Sequence, residues 1–142
     1  MKKPILVIDT NVLVAGLRSR RGRSFELLGM IGGIHFDITL SVPLVMEYEA
    51  VLGRPEMVPI SAHAVAQVLD YICATALHQD IFYLWRPRLR DAKDDMLVEL
   101  AMNAGAQIIV THNVKDFELA RGLGLVILTP DECLKHLQED KQ

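Results

Sequence analysis

Cysteine is scarce in this chain. There are two, Cys73 and Cys133, far apart and with no companion Cys or His at metal-ligand spacing. That argues against a disulfide framework and a thiolate metal site, and leaves buried packing as the reading of both. Aromatic residues make up 6% of the chain, so a base-stacking surface has little material, and Tyr48, Tyr83 and Trp85 read first as packing residues. No apolar run reaches the roughly 18 residues that a bilayer span needs. Met1-Lys2-Lys3-Pro4 followed by Ile5-Leu6-Val7-Ile8-Asp9 begins like a signal peptide, but the run is short, ends in an acid and has no small-residue cleavage site after it. The expectation is a cytoplasmic protein with no membrane partner. Excess positive charge is missing too: the net charge is −3, which does not advertise nucleic-acid binding. A nuclease that concentrates acids at its centre can nevertheless be acidic overall and still line its substrate path with arginine.

What is present is a globular composition, 51% hydrophobic and 23% charged. The length of 142 residues points to one domain, residues 1–142, able to bury about two-thirds of its unfolded surface. No repeat, linker or low-complexity stretch interrupts it. Residues 5–8 form an aliphatic run suited to a strand buried on both faces. A helix starts at Val12, with Asp9, Thr10 and Asn11 as capping candidates. Ser24 is placed to cap a second helix that Gly32 and Gly33 close. Strands are expected over 36–40, 81–84, 107–110 and 125–128. Helices are expected over 42–52, from Ser61 to about Leu77, from Asp94 or Asp95 to Ala104, over 114–121 and over 131–137. Residues 86–92 read as a loop. The alternation predicts an α/β fold with a mostly parallel sheet between helices.

In such a sheet, ligands bind at the carboxyl ends of the strands. Asp9 ends the first strand. Thr111, His112, Asn113 and Asp116 follow the fourth. Glu47 lies one turn into the helix after the second, and Asp94 and Asp95 open the helix that leads into the fourth. Gathered at one edge, these acids repel one another unless a cation neutralises them. Oxygen ligands favour Mg²⁺ or Mn²⁺, and two such ions about 4 Å apart can hold a phosphodiester and supply the attacking hydroxide. Taken singly, each acid has a plainer reading: Asp9, Asp94 and Asp95 as helix caps, Glu47 as a solvated helical residue, and Asp116 as a cap or partner of Lys115 or Arg121.

The same residues resemble a known family. Ile5-Leu6-Val7-Ile8-Asp9-Thr10-Asn11-Val12 looks like the opening of PIN domains. Ser41-Val42-Pro43-Leu44-Val45-Met46-Glu47-Tyr48 resembles their second motif. The stretches from Arg90 to Ala101 and from Ile108 to Phe117 resemble the third and fourth, in order and over nearly the whole chain. The resemblance is nearest to PIN toxins of toxin–antitoxin systems, the VapC toxins. It implies a three-layer PIN-like fold with a five-stranded sheet in the order 3-2-1-4-5. It also implies a Mg²⁺- or Mn²⁺-dependent endoribonuclease acting on RNA, often a homodimer, silenced by a small antitoxin. Carried over residue by residue, Asp9, Glu47 and Asp95 match the three core acids, Asp95 being preferred to Asp94 for its spacing from Thr111. At the fourth corner Asn113 stands where some members place an acid, and Asp116 lies where others do. Asp9, Glu47, Asp95 and Asp116 are thus the implied catalytic and metal-binding set. Thr10, Asn11, Asp94, Thr111 and Asn113 are the supporting polar residues.

Arg18, Arg20, Arg21 and Arg23 follow the first motif and can meet RNA phosphates, or form a solvated loop. Arg86, Arg88 and Arg90 invite the same argument more weakly. His112 can donate a proton near neutral pH, though a metal-ion mechanism does not need it. The helix from Ser61 carries Val65, Leu69, Ile72 and Leu77 and is a candidate face for a homodimer or antitoxin. Two other classes compete with the nuclease. One is a catalytically silent PIN module that binds RNA or a protein, favoured by Asn113. The other is phosphoryl transfer through an aspartyl-phosphate on Asp9, disfavoured because Asn11 stands where such enzymes carry a second Asp.

Overall fold

The computed structural model describes residues 3–81, 89 and 91–139. Five strands form one parallel sheet in the order β3-β2-β1-β4-β5: β1 (Ile5–Ile8), β2 (Asp37–Leu40), β3 (Leu77–His78), β4 (Ile108–Val110) and β5 (Val126–Leu128). The expected order 3-2-1-4-5 is observed. β1 is central: Leu6 faces Ile38 on one side and Ile108 on the other. Leu6, Val7, Ile8 and all of β4 are buried, as continuous aliphatic strands covered on both faces must be.

Helices α1 (Thr10–Arg18), α2 (Arg23–Leu28), α3 (Val42–Leu52), α4 (Ala62–Thr75), α5 (Ala92–Ala104), α6 (Glu118–Arg121) and α7 (Pro130–Glu139) flank the sheet, with a 3-10 turn over Val114–Phe117. α3 matches its expected bounds. Its cap is Ser41, whose hydroxyl accepts from the Leu44 amide at 3.3 Å, and Pro43 lies in its first turn. Ser61 caps α4 in the same way, through the Ala64 amide at 3.1 Å. Gly105 ends α5 with φ +67°, a left-handed conformation that favours glycine.

Three expectations are corrected. β3 lies at Leu77–His78, so Leu77 falls outside α4, and the strand expected over 81–84 runs outside the described residues from 82 onward. Residues 82–88, with Tyr83, Trp85, Arg86 and Arg88, lie outside the described residues, as does Arg90. Ser24 does not cap α2. Gly22 stands at the cap, the helix ends at Leu28, and Ser24 is buried inside it. Neither Asp94 nor Asp95 caps α5: Asp91 does, accepting from the Lys93 amide at 2.9 Å.

Tyr48 is buried and donates its hydroxyl to the carbonyl of Ile8, the residue before Asp9. Burial raises its pKa well above the ordinary phenol range. α3 is thereby fastened to the end of β1, which brings Glu47 alongside Asp9. Cys133 is buried and its thiol is pushed up to about 12 by that burial, while Cys73 is half-buried and shifted in the same direction; both fit the packing role.

Candidate active site

β1 runs into α1 with no intervening loop, so Asp9 emerges at the carboxyl end of the central strand and occupies the cap position of α1. Its side chain makes no capping hydrogen bond, although the amides of Thr10 and Asn11 lie near enough to favour its charged form. Its Oδ2 instead accepts from the Thr111 hydroxyl at 2.8 Å and from Asn11 Nδ2 at 3.4 Å. The plain capping role is therefore not what orients this carboxylate. Thr111 is fully buried, and its Oγ1 also accepts from Asn11 Nδ2 at 3.4 Å and from the Asn113 amide at 3.0 Å. Asn11 Oδ1 in turn accepts from the His112 amide at 3.2 Å. This network ties the end of β1 to the end of β4.

Beside it opens a cleft of about 250 Å³, lined by Asp9, Thr10, Asn11, Glu47, Asp91, Lys93, Asp94 and Asn113 over an apolar floor that includes Val14, Val51 and Leu97. Three elements thus bring Asp9, Glu47 and Asp94 to one opening. Asp95 does not line it. It is buried on the adjacent side of α5, where its Oδ1 accepts from the Leu89 amide at 3.2 Å. The two aspartates therefore separate by face: Asp94 looks into the cleft and Asp95 braces the chain. Helical spacing alone does not separate them: Asp94 precedes the buried Leu97, Val98 and Ala101 by three, four and seven positions, but Asp95 is itself buried beside those residues.

Asp116 is exposed and outside the lining, but close enough to Asp94 to raise its pKa. Burial, then repulsion from Asp9, Asp91, Asp116 and Asp95, pushes Asp94 up to about 6. Asp9 is raised as well, chiefly by burial and further by Glu47, against the opposing hydrogen bond from Thr111. The cleft therefore holds more negative charge than it can comfortably keep ionised. Its donors are hard oxygens, the chemistry of a Mg²⁺ or Mn²⁺ site. Among the described residues, no three His, Cys, Asp or Glu side chains form a ready-made metal-binding group. Sequence reasoning overlooked Asp91 and Lys93. The Asp-x-x-Asp pattern of a helix start marks the first, and Lys93 Nζ stands 3.6 Å from Glu47 Oε1.

Arg18 is exposed at the end of α1, and Arg20 and Arg21 are exposed in the turn between α1 and α2; none of the three lines the cleft. Arg23 is not available in the same way, being paired with Glu26 at 3.1 Å and Asp131 at 3.0 Å. His112 Nε2 stands 2.9 Å from the buried Ser24 hydroxyl, which locks α2 to the end of β4. A second, apolar hollow of about 430 Å³ lies between α1, α2 and α4, with Leu17, Phe25, Leu28, Val68, Tyr71 and Ile72 among its walls. Among the described residues, no helix is long and apolar enough to cross a membrane.

Comparison with known proteins agrees with the fold. The family model described as PIN domain matches residues 5–115. No curated protein matches. Among solved structures, VapBC2 from Rickettsia felis, bound to a DNA fragment from their promoter, superposes with a TM-score of 0.60 at 16% identity, over 87% of this chain and 96% of that one.

Proposed function

The chain belongs to the PIN-domain family, and on that premise we propose that it is a Mg²⁺- or Mn²⁺-dependent endoribonuclease, the toxin of a toxin–antitoxin pair. PIN domains are in general nucleases that use divalent ions. The observation that carries the reading is the convergence of Asp9, Glu47 and Asp94 on one cleft at the carboxyl ends of β1 and β4. We assign the metal-facing set to Asp9, Glu47 and Asp94. Asp116 and Asn113 complete its outer side, and Asp95 serves as a brace.

A bound divalent ion supplies Lewis-acid polarisation of the phosphodiester and a hydroxide at neutral pH. The chain does the rest. Thr111 and Asn11 hold the Asp9 carboxylate in one orientation, so little rearrangement is needed when an ion arrives. The apolar floor limits water and strengthens the charges above it. Arg18, Arg20 and Arg21 offer fork-shaped donors to RNA phosphates approaching from the α1–α2 turn.

The toxin part of the reading rests on the apolar hollow between α1, α2 and α4, which offers an antitoxin segment somewhere to dock. A homodimer is proposed separately, through exposed apolar residues such as Val42 and Met46 of α3, since Val65, Leu69 and Ile72 of α4, expected at such a face, are buried in the core. A cytoplasmic site of action is part of the proposal.

The test is cleavage of mixed single-stranded and structured RNAs with Mn²⁺, Mg²⁺ or EDTA, beside Asp9→Asn. Metal-dependent cutting that disappears in the variant supports the nuclease. Asn113 at the fourth corner favours a second reading, a silent module that binds RNA or a protein. Binding without cutting in any metal would establish that one instead.

A further inference from the structure

Lys93 is an unusual residue for its position. It sits in the first turn of α5, where the amide groups and the helix dipole favour anions and disfavour an ammonium. An isolated exposed pair such as Lys93 with Glu47 contributes little by itself, and the Lys93 side chain is 60% exposed. Yet the lysine reaches from α5 to Glu47 on α3, whose side chain is 18% exposed, and it lines the same cleft as Asp9, Asp91 and Asp94. No other lysine or arginine lines that cleft among the described residues. What offsets its poor placement on the helix is the surrounding negative field.

We propose that the Lys93 ammonium is a resident cation that occupies the Glu47 side of the cleft in place of a second divalent ion, so that the site binds a single Mg²⁺ or Mn²⁺ on its Asp9–Asp94 side. The charge balance supports this. Four carboxylates line the cleft, Asp9, Glu47, Asp91 and Asp94. One divalent ion and one ammonium nearly neutralise them. Two divalent ions match them only if the lysine leaves, because with it in place the lining becomes net positive before any RNA phosphate arrives. The neutral Asn113 at the fourth corner lowers the demand for a second divalent ion further. In this arrangement Lys93 is a positioning residue, and it limits how many ions the carboxylates recruit.

The inference rests on the metal-dependent reading above, and one experiment separates the two. Mn²⁺ alone is titrated into the whole purified protein by calorimetry, for wild type, Lys93→Gln, Lys93→Arg and Asp9→Asn. The expected stoichiometry is one Mn²⁺ per chain for wild type and Lys93→Arg, and two for Lys93→Gln. Electron paramagnetic resonance should show coupling between two Mn²⁺ ions only in Lys93→Gln. Two ions in wild type, or one ion in both wild type and Lys93→Gln, would overturn the role given to Lys93 while leaving a metal site in place. No Mn²⁺ bound by wild type would remove the metal-dependent reading itself.

Discussion

The Thr111 hydroxyl donates to Oδ2 of Asp9 over 2.8 Å, joining residues 102 positions apart in the chain. The bond reaches the central acid from the end of the neighbouring strand and adds to the longer one that Asn11 donates from α1. Thr111→Val keeps the shape of the side chain and removes the donor. Metal affinity or RNA cleavage should fall about 10–100-fold, as is usual when a partner that orients a ligand is removed. Stability should change by only about 1 kcal/mol. Mn²⁺ titration and thermal melting of the same sample check both. An unchanged Mn²⁺ affinity would show that Asp9 does not depend on this hydrogen bond.

Asp94 and Asp95 should respond in opposite ways. Asp94→Asn should abolish cleavage by at least about 100-fold with little effect on folding. Asp95→Asn weakens a buried acceptor of the Leu89 amide and should lower stability by about 1–3 kcal/mol while Mn²⁺ still binds. Denaturant melts and Mn²⁺ titration on the two variants decide the matter. The reverse pattern would return the ligand role to Asp95.

Burial and neighbouring acids push Asp94 up to about 6, and Asp9 is raised in the same direction. A carboxylate whose pKa is higher folded than unfolded binds its proton more tightly in the native state. The metal-free protein should therefore gain stability as pH falls from about 6 towards 4, and lose it as pH rises through 6. Mn²⁺ binding should weaken over the same fall in pH, since the ion competes with those protons. Denaturant midpoints between pH 4 and 7.5, for wild type and Asp94→Asn without metal, would show the gradient flattened in the variant.

Arg20 and Arg21 are exposed where Arg23 is held by Glu26 and Asp131. Arg20→Ala combined with Arg21→Ala should weaken single-stranded RNA binding. It should also reduce the slope of log affinity against log salt by about 0.7 for each phosphate that is no longer neutralised. Arg23→Ala should instead loosen the packing of α2 against α7 and leave that slope alone. The readout is RNA binding by fluorescence anisotropy across a salt series.

Much of this architecture is written in local pattern. The aliphatic runs at β1 and β4 and the serine caps of α3 and α4 state their structures directly, and their alternation implies a parallel sheet. β3 is not legible in that way. Its two residues, Leu77 and His78, are exposed at the sheet's edge and carry no buried pattern, whereas the stretch just beyond is more apolar and reads more readily as a strand. Asp9, Glu47 and the Asn113 corner can be placed at the cleft from strand ends and motif order. The distinction between Asp94 and Asp95 needs the orientation of α5, because adjacent helical residues differ by about 100° in direction while spacing in sequence differs by one. Lys93 is invisible for another reason: its meaning comes from Glu47, on a different helix.

The pairing of β1 with both β2 and β4 has a consequence for synthesis. During translation, the first strand, Glu47 and both aspartates of α5 are made before β4. Until β4 slots beside β1, Asp9 has no Thr111 to hold it and the cleft has no Asn113 wall. Such long-range parallel pairing is also the slow kind to form. An unfinished chain on the ribosome thus carries most of its acids with no assembled site, and on this geometry a cell making the protein meets an assembled cleft only once the last quarter of the chain has joined the sheet.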